Sequence, residues 1–226
     1  MIDITLDLET CALAPTAAVM SVGAVLWKRD GDKSPFYIYS GSEAVKYPTF
    51  SAHVDLRGMF VDGFTFDKQT ADWWQHESEE ARASVLESDD DATRCSPIQT
   101  VVLNLFDWIK EIKDTLHDKD VCLWSQGSDF DIAILRNICY KYQLDINVLV
   151  HYTYFRDHHT FVYEAAQLLC NARGVPYSPK MAYDIVEDYK NVERGAEHDP
   201  VFDCKRSIYS TWQMMKQLNH LKYLEQ

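Results

Sequence analysis

Five segments of the chain have the short apolar or alternating patterns that predict β-strands. They cover residues 2–9, 18–27, 35–40, 50–54 and 121–124. In residues 2–9 apolar and polar side chains alternate strictly, so Asp7 and Glu9 share one face and four aliphatic side chains share the other. Residues 18–27 are almost wholly apolar, which predicts a strand buried on both faces.

Helical spacing of apolar residues dominates the rest of the chain. Helices are predicted from Asp67 to about Leu86, over residues 97–113, from Ser128 to about Tyr142, over residues 158–173, and from Asp199-Pro200 onward. The acidic residues 87–91 and the charged residues 187–199 predict loops. Strands cluster early and helices alternate later, which predicts an α/β protein with a mixed five-stranded sheet flanked by helices.

The composition predicts one globular domain spanning residues 1–226. Apolar residues make up 46% and charged residues 25%, without a linker, a repeat or an apolar run long enough to span a bilayer. We find no signal peptide and no Cys-x-x-Cys pair among the six cysteines, so we expect a cytoplasmic protein without a zinc site. The net charge of −13 disfavours a basic duplex-binding surface and favours a metal site.

Three acidic positions near strand ends are candidate metal ligands. Asp7 and Glu9 point the same way from one strand, so both could bind one hard cation, although an exposed acidic strand face would have the same pattern. Asp131 follows a strand and a turn in the segment Gly127-Ser-Asp-Phe-Asp131. It could join the same site, or it could close a capping box with Ser128 at the start of a helix.

The last predicted helix adds a histidine and a fourth acid. Asp199 is a good helix cap and Pro200 a good first helical residue, which places His198 in the preceding loop and Asp203 in the first turn. A loop histidine beside a fixed carboxylate suits a general base next to a metal ligand. An exposed histidine and an aspartate that merely favours the helix start would produce the same sequence.

In their order and context, these residues resemble the DEDD exonucleases of the histidine subtype, along nearly the whole chain. The similar segments are Asp7-Leu-Glu9-Thr10 with Ser21-Val-Gly-Ala24, then Phe130-Asp131, and finally His198 to Asp203. The resemblance implies a ribonuclease-H-like fold. It also implies that Asp7, Glu9, Asp131 and Asp203 hold two Mg²⁺ or Mn²⁺ ions about 4 Å apart, with Asp7 bridging them and His198 taking a proton from water.

Finer features resemble the phage exonuclease A branch and its bacterial exoribonuclease relatives. They are Ala71-Asp-Trp73-Trp74, Glu79-Glu-Ala-Arg82, Phe155-Arg-Asp157-His-His-Thr160 and His198-Asp-Pro-Val-Phe-Asp203-Cys204. His159 departs from this pattern, which has arginine at that position. The likeness implies a phage or bacterial protein, which in the phage case would act in the cytoplasm of the host.

The activity that this resemblance implies is release of nucleoside 5′-monophosphates from the 3′ end of single-stranded nucleic acid. DNA and RNA both stay open as substrates, because the distinction depends on contacts to the 2′-hydroxyl. A homodimer is a further expectation, since related ribonucleases can be dimers. The alternative from another class is a non-catalytic, nucleic-acid-binding subunit that acts through a polymerase partner.

Four residues are candidates for contact with the substrate. Thr10 belongs to the first motif. Trp73 or Trp74 could stack on a terminal base, yet adjacent helical residues point about 100° apart, so at most one should face the substrate. Core packing of both tryptophans is the alternative. Lys180 could contact a phosphate or could simply be solvated.

Overall fold

The computed structural model describes residues 1–40, 42–85, 95–127 and 129–221. Its strands are β1 (Ile2–Thr10), β2 (Val19–Trp27), β3 (Tyr37–Ser40), β4 (Glu43–Lys46), β5 (Thr49–Val54), β6 (Cys95–Ser96), β7 (Val121–Ser125) and β8 (Phe155–Asp157). Each of the five predicted strand segments contains a strand, although residues 35 and 36 form a turn before β3. The strands that were not predicted, β4, β6 and β8, are four, two and three residues long, which is too short for a periodic pattern to emerge.

Six strands form one mixed sheet in the order β6-β5-β2-β1-β7-β8. β1 pairs antiparallel with β2, and β2 with β5. The pairs β1–β7, β7–β8 and β5–β6 are parallel. The predicted mixed α/β sheet is therefore confirmed, with six strands in place of five. The segment predicted at residues 35–40 lies outside this sheet, because β3 pairs with β4 in a separate hairpin.

The helices are α1 (Leu56–Val61), α2 (Lys68–His76), α3 (Glu79–Val85), α4 (Ile98–Leu116), α5 (Asp131–Lys141), α6 (His158–Arg173) and α7 (Pro200–Leu221). The helices predicted at residues 97–113, at 158–173 and from Asp199-Pro200 are confirmed as α4, α6 and α7. The helix α5 begins at Asp131, three residues later than predicted, and Ser128 lies outside the described residues. No helix in the described ranges is both long and apolar enough to cross a membrane.

The single helix predicted over residues 67–86 is wrong, because the chain breaks it into α2 and α3. Glu77 has an extended backbone, with ψ at 161°, and ends α2. The Ser78 hydroxyl then accepts a hydrogen bond from the Ala81 N–H at 3.0 Å, which starts α3. The predicted acidic loop over residues 87–91 lies outside the described part of the chain.

The strand β1 lies in the middle of the sheet and is covered on both faces. Its aliphatic side chains, such as Leu6, pack with Leu105 of α4 and Ile134 of α5, and all three are at most 1% exposed. On the other face α6 and α7 cover the sheet, and Ile208 packs in a cluster with Trp124. Because full burial of such an aliphatic side chain contributes about 1.5–3 kcal/mol, this layered packing holds β1 in place.

The first half of the polar face of β1 is buried and fully partnered. The Arg29 guanidinium binds the Asp3 carboxylate through two nitrogens, and the Trp124 indole N–H donates to the same carboxylate at 2.8 Å. The Thr5 hydroxyl lies 2.9 Å from Nε2 of His158, whose Nδ1 lies 2.7 Å from a hydroxyl of α7. These bonds fix α6 and α7 against the sheet.

The amino-terminal turn of α7 approaches β2 closely, directly beside the second half of that polar face. Gly23 pairs with Asp7 across the two strands. A Cβ at Gly23 would lie 2.6 Å from the carbonyl carbon of Pro200 and 2.7 Å from the nitrogen of Val201. Only glycine therefore allows α7 to begin at this position, and the first turn of α7 carries Asp203 towards Asp7.

Candidate active site

The four predicted acids and His198 line a single cavity of about 720 Å³. Asp7 and Glu9 come from the end of β1, Asp131 from the start of α5, and Asp203 from the start of α7. Residues from three distant parts of the sequence thus meet where a strand and two helix amino termini converge. The positive ends of two helix dipoles favour negative charge at this place.

Asp131 is held by the strand rather than by its own helix. The Leu8 N–H, which lies between Asp7 and Glu9, donates to Asp131 Oδ1 at 3.1 Å. Asp131 is the first residue of α5, so the capping box that would place it three residues inside the helix is wrong. Its side chain is only 3% exposed, and the hydrogen bond fixes it next to both acids of β1.

His198 and Asp203 are arranged as the local sequence predicted. The Asp199 carboxylate accepts a hydrogen bond from the Phe202 N–H at 2.8 Å and so caps α7. His198 lies just before this helix with φ at +64°, and its N–H donates to Asp203 Oδ2 at 2.9 Å. One ligand atom each of Glu9, His198 and Asp203 lies within 4.8 Å of the others.

The four predicted acids of the cavity have raised pKa values, because they are buried and lie close to one another. Burial and, after it, the nearby carboxylates, Asp203 first, together raise the pKa of Glu9 to about 8. Burial also raises the pKa of Asp131 to about 8, even though the bond from Leu8 opposes this shift. The pKa of Asp7 is well above its usual value because of burial and the charge of Asp131, and burial raises the pKa of Asp203.

A divalent cation fits this donor set. Among the residues that line the cavity, Arg206 supplies the permanent positive charge, and its Nη1 lies 3.4 Å from Asp203 Oδ1. One guanidinium cannot balance four converging carboxylates. Carboxylate oxygens with no thiol among them are the ligands that hard ions such as Mg²⁺ and Mn²⁺ prefer.

Three of the four predicted substrate contacts border a second depression, of about 390 Å³, which adjoins the first at Leu8 and Glu9. They are Thr10, Trp73 and Trp74. Trp73 is 44% exposed and Trp74 only 7%, so one tryptophan faces outward, and the Trp74 indole donates to the Thr10 carbonyl at 3.1 Å. Lys180 is exposed in the turn Pro179–Met181 and does not line either depression.

The structure adds site residues that the sequence analysis missed. Arg206, Gln126 and Ser207 line the cavity, and the Ser207 hydroxyl bonds to the Gln126 amide oxygen. Arg206 lies one helical turn after Asp203, so helical spacing could have identified it. Glu77 contacts His198 from α2, with Oε2 at 3.6 Å from Nε2, and it follows Trp73 by four residues. His159, which departs from the family pattern, also lines the cavity.

The comparison that decides the family is the sequence match. The family model of the 3′-5′ exoribonuclease Rv2179c-like domain matches residues 2–206. The chain belongs to this family. All four acids and His198 lie inside the matched range, and the 3′→5′ exonuclease activity that the residues predicted is confirmed at the level of the family.

Solved structures resemble this exonuclease in fold. The nuclease domain of 3′hExo, a DEDDh family member bound to rAMP, aligns with a TM-score of 0.55 at 13% identity over 95% of this chain and 92% of that chain. This likeness confirms the ribonuclease-H-like fold. E. coli exonuclease I in complex with a 5cy-dA13 oligonucleotide aligns with a TM-score of 0.47 at 14% identity, and the chain spans 42% of its length. No curated protein matches the sequence.

Proposed function

We propose that the exonuclease hydrolyses single-stranded RNA from the 3′ end with two divalent ions, Mg²⁺ or Mn²⁺, and releases nucleoside 5′-monophosphates. The observation that carries the proposal is the convergence of four carboxylates with raised pKa values on one cavity. Such a cluster is costly without cations and stable with them. RNA is preferred over DNA because the matched family is one of exoribonucleases.

In this proposal the four acids are the metal ligands. Asp7, Glu9, Asp131 and Asp203 would together hold the two ions through their carboxylate oxygens. Bound divalent ions lower the pKa of a water molecule and neutralise charge that develops on the phosphoryl oxygens and on the leaving group. His198 accepts the proton of the attacking water on the imidazole nitrogen that faces Glu9, which lies 3.8 Å from a Glu9 oxygen.

The second depression is suited to the terminal nucleotide. It adjoins Glu9, and most of its lining is apolar, with the exposed Trp73 ring at one side. A base of the terminal nucleotide that stacks on this ring would place the phosphodiester on the 5′ side of that nucleotide near the acids. The Thr10 carbonyl is already bound to Trp74, and the Thr10 hydroxyl donates to the Ala12 carbonyl at 2.8 Å, so we propose that Thr10 shapes this wall.

The non-catalytic alternative, a subunit that acts only through a polymerase partner, has less support. Such a protein would not need four metal ligands and a general base in one place. We further propose one domain over residues 1–226, and the cytoplasmic location, the homodimer and the likeness to phage exonuclease A stay predictions. Lys180 stays a candidate phosphate contact, although it lies outside the cavity lining.

Digestion of end-labelled oligonucleotides tests the proposal directly. RNA and DNA of the same sequence, each single- and double-stranded, would be compared with Mg²⁺ and with excess EDTA. We expect mononucleotides from single-stranded RNA, no reaction in EDTA, and no reaction when the 3′ end is blocked. Blocking the 5′ end should have no effect. Turnover in EDTA would contradict the metal proposal, and faster digestion of DNA would contradict the choice of RNA.

A further inference from the structure

His198 is surrounded by side chains from the broken helical segment α2–α3. The rings of Trp73 and Trp74 meet the imidazole edge to face, with centroids 4.9 and 5.5 Å away. The Ser84 hydroxyl lies 3.0 Å from the His198 carbonyl oxygen. These contacts hold a residue whose backbone has a positive φ, a conformation that few residues other than glycine adopt.

Each of the two imidazole nitrogens of His198 has a carboxylate near it. Nδ1 lies 3.8 Å from Glu9 Oε1, and Nε2 lies 3.6 Å from Glu77 Oε2. Glu9 is part of the proposed metal site. Glu77 lines neither the 720 Å³ cavity nor the 390 Å³ depression, so it contacts the histidine from outside the proposed substrate site.

The break between α2 and α3 explains why a carboxylate reaches this position. Glu77 leaves the helix with an extended backbone, while its N–H still bonds to the Trp74 carbonyl at 3.3 Å. Its side chain is 24% exposed and that of His198 is 26% exposed, so the pair is largely shielded from water. An electrostatic contact is stronger in such a place than at an open surface.

We propose that Glu77 is a positioning residue for His198, an inference that rests on the proposed role of His198 as general base. A carboxylate on the far nitrogen of an imidazole favours the tautomer with the proton on that nitrogen, so the other nitrogen is free to accept a proton. It also stabilises the imidazolium that forms when the water proton arrives. The nitrogen that faces Glu9 and the proposed ions is then the base.

The test compares Glu77→Gln, His198→Ala and the double variant at saturating Mg²⁺, so that the lost charge near Glu9 does not act through metal affinity. We expect Glu77→Gln to lower kcat about 10- to 100-fold with KM unchanged, since an outer partner of a working histidine has an effect of this size. In the His198→Ala background the same change should have no further effect. Glu80→Gln is the matched control, because Glu80 is an exposed acid on α3, and it should match wild type.

A second measurement reads the imidazole without turnover. In protein labelled with ¹⁵N-histidine, saturated with Mg²⁺ and free of substrate, the two ring nitrogens of His198 should show one fixed tautomer. Glu77→Gln should convert this tautomer to a mixture, and Glu80→Gln should leave it unchanged. A Glu77→Gln variant with wild-type kcat and an unchanged ¹⁵N pattern would overturn the positioning role. Multiplicative losses in the double variant would overturn it as well. A His198→Ala variant with wild-type kcat would instead refute the general base itself.

Discussion

One face of β1 carries Asp3 and Thr5 near its start and Asp7 and Glu9 near its end. Asp3 and Thr5 have their hydrogen-bond partners within the protein: Arg29 and Trp124 bind the Asp3 carboxylate, and His158 binds Thr5. The second pair meets two more acids instead of a cation. The same strand face thus carries a buried carboxylate whose partners are built into the fold and, by our proposal, two carboxylates whose partners are bound metal ions.

Replacing Asp7 or Asp3 by asparagine should distinguish the proposed catalytic role of Asp7 from the structural role of Asp3 most clearly. Asp7→Asn removes a carboxylate that would hold the proposed ions, so kcat should fall at least as far as for loss of a general base, about 10²–10⁴-fold. In EDTA its Tm should equal or exceed that of wild type, because one of several repelling charges is gone. Paired kinetics and thermal melts check both statements.

Asp3→Asn, the matched variant, should behave in the opposite way. It leaves the Arg29 guanidinium without its acid, and we expect a loss of about 1–3 kcal/mol in the free energy of unfolding with kcat near wild type. A fully active Asp7→Asn enzyme, or an Asp3→Asn enzyme that is stable but inactive, would show that the contrast between the two ends is mistaken.

The acids that meet at the end of β1 should also make the stability of the folded protein, measured as Tm, depend on pH and on metal. Because the pKa of Glu9 and of Asp131 is raised to about 8 in the folded protein, the folded state holds protons that the unfolded chain releases at lower pH. This contribution is complete below the usual carboxyl pKa and is lost as pH rises towards 8. In EDTA, Tm should therefore fall between about pH 5 and 8.

Added Mg²⁺ should reverse this loss, and more strongly at higher pH. Metal competes with protons for the same oxygens, so its apparent affinity should rise about tenfold per pH unit for each proton displaced. Thermal melts with and without Mg²⁺ across this range measure the effect, with Asp7→Asn as the control. A gain in Tm that is the same at every pH would mean that metal binds elsewhere.

The five central residues were predictable because each has a local signal. Asp7 and Glu9 stand out by strict alternation, and Asp203 and His198 by the Asp-Pro start of a helix. Asp131 carried an ambiguous signal, since a capping role fits the same position. The structure resolves it through the Leu8 N–H, a contact between residues that are far apart in sequence.

The features that sequence could not supply depend on tertiary contacts. Gly23 is one of eight glycines, and nothing in its surroundings shows that the start of α7 will approach it. The break at Glu77 lies within a helical pattern, and the short strands β6 and β8 exist only through their neighbours in the sheet. Local patterns therefore predicted which residues meet in the cavity, and tertiary packing decides what holds them there.

The structural role of the buried contacts at the start of β1 can be tested through His158, which binds Thr5. Burial lowers the pKa of His158 to about 3, so the folded protein keeps it neutral while the unfolded chain takes up a proton near its ordinary pKa of 6.5. Its contribution is thus present above that pH and is lost as pH falls towards 3. His158→Gln should cost about 1–3 kcal/mol at neutral pH, through weakened bonds to Thr5 and Thr211.

The difference in unfolding free energy between wild type and His158→Gln should narrow as pH falls below about 6.5. Denaturant unfolding at several pH values, with Mg²⁺ present to suppress the opposite trend of the acids, measures it. A difference that stays constant with pH would show that His158 is not held neutral, and that its hydrogen bonds alone account for its effect.

The last expected effect concerns Trp73, which borders the 390 Å³ depression beside Glu9. If its exposed ring stacks on the terminal base, Trp73→Ala removes a contact worth about 1–3 kcal/mol and should raise KM about 5- to 150-fold. Trp73→Phe keeps an aromatic face and should lose much less. The ring also contacts His198, so kcat must be measured together with KM. A fall in kcat at constant KM would mean that Trp73 acts by holding the histidine, whereas a lower Tm with both constants unchanged would mean that it only packs.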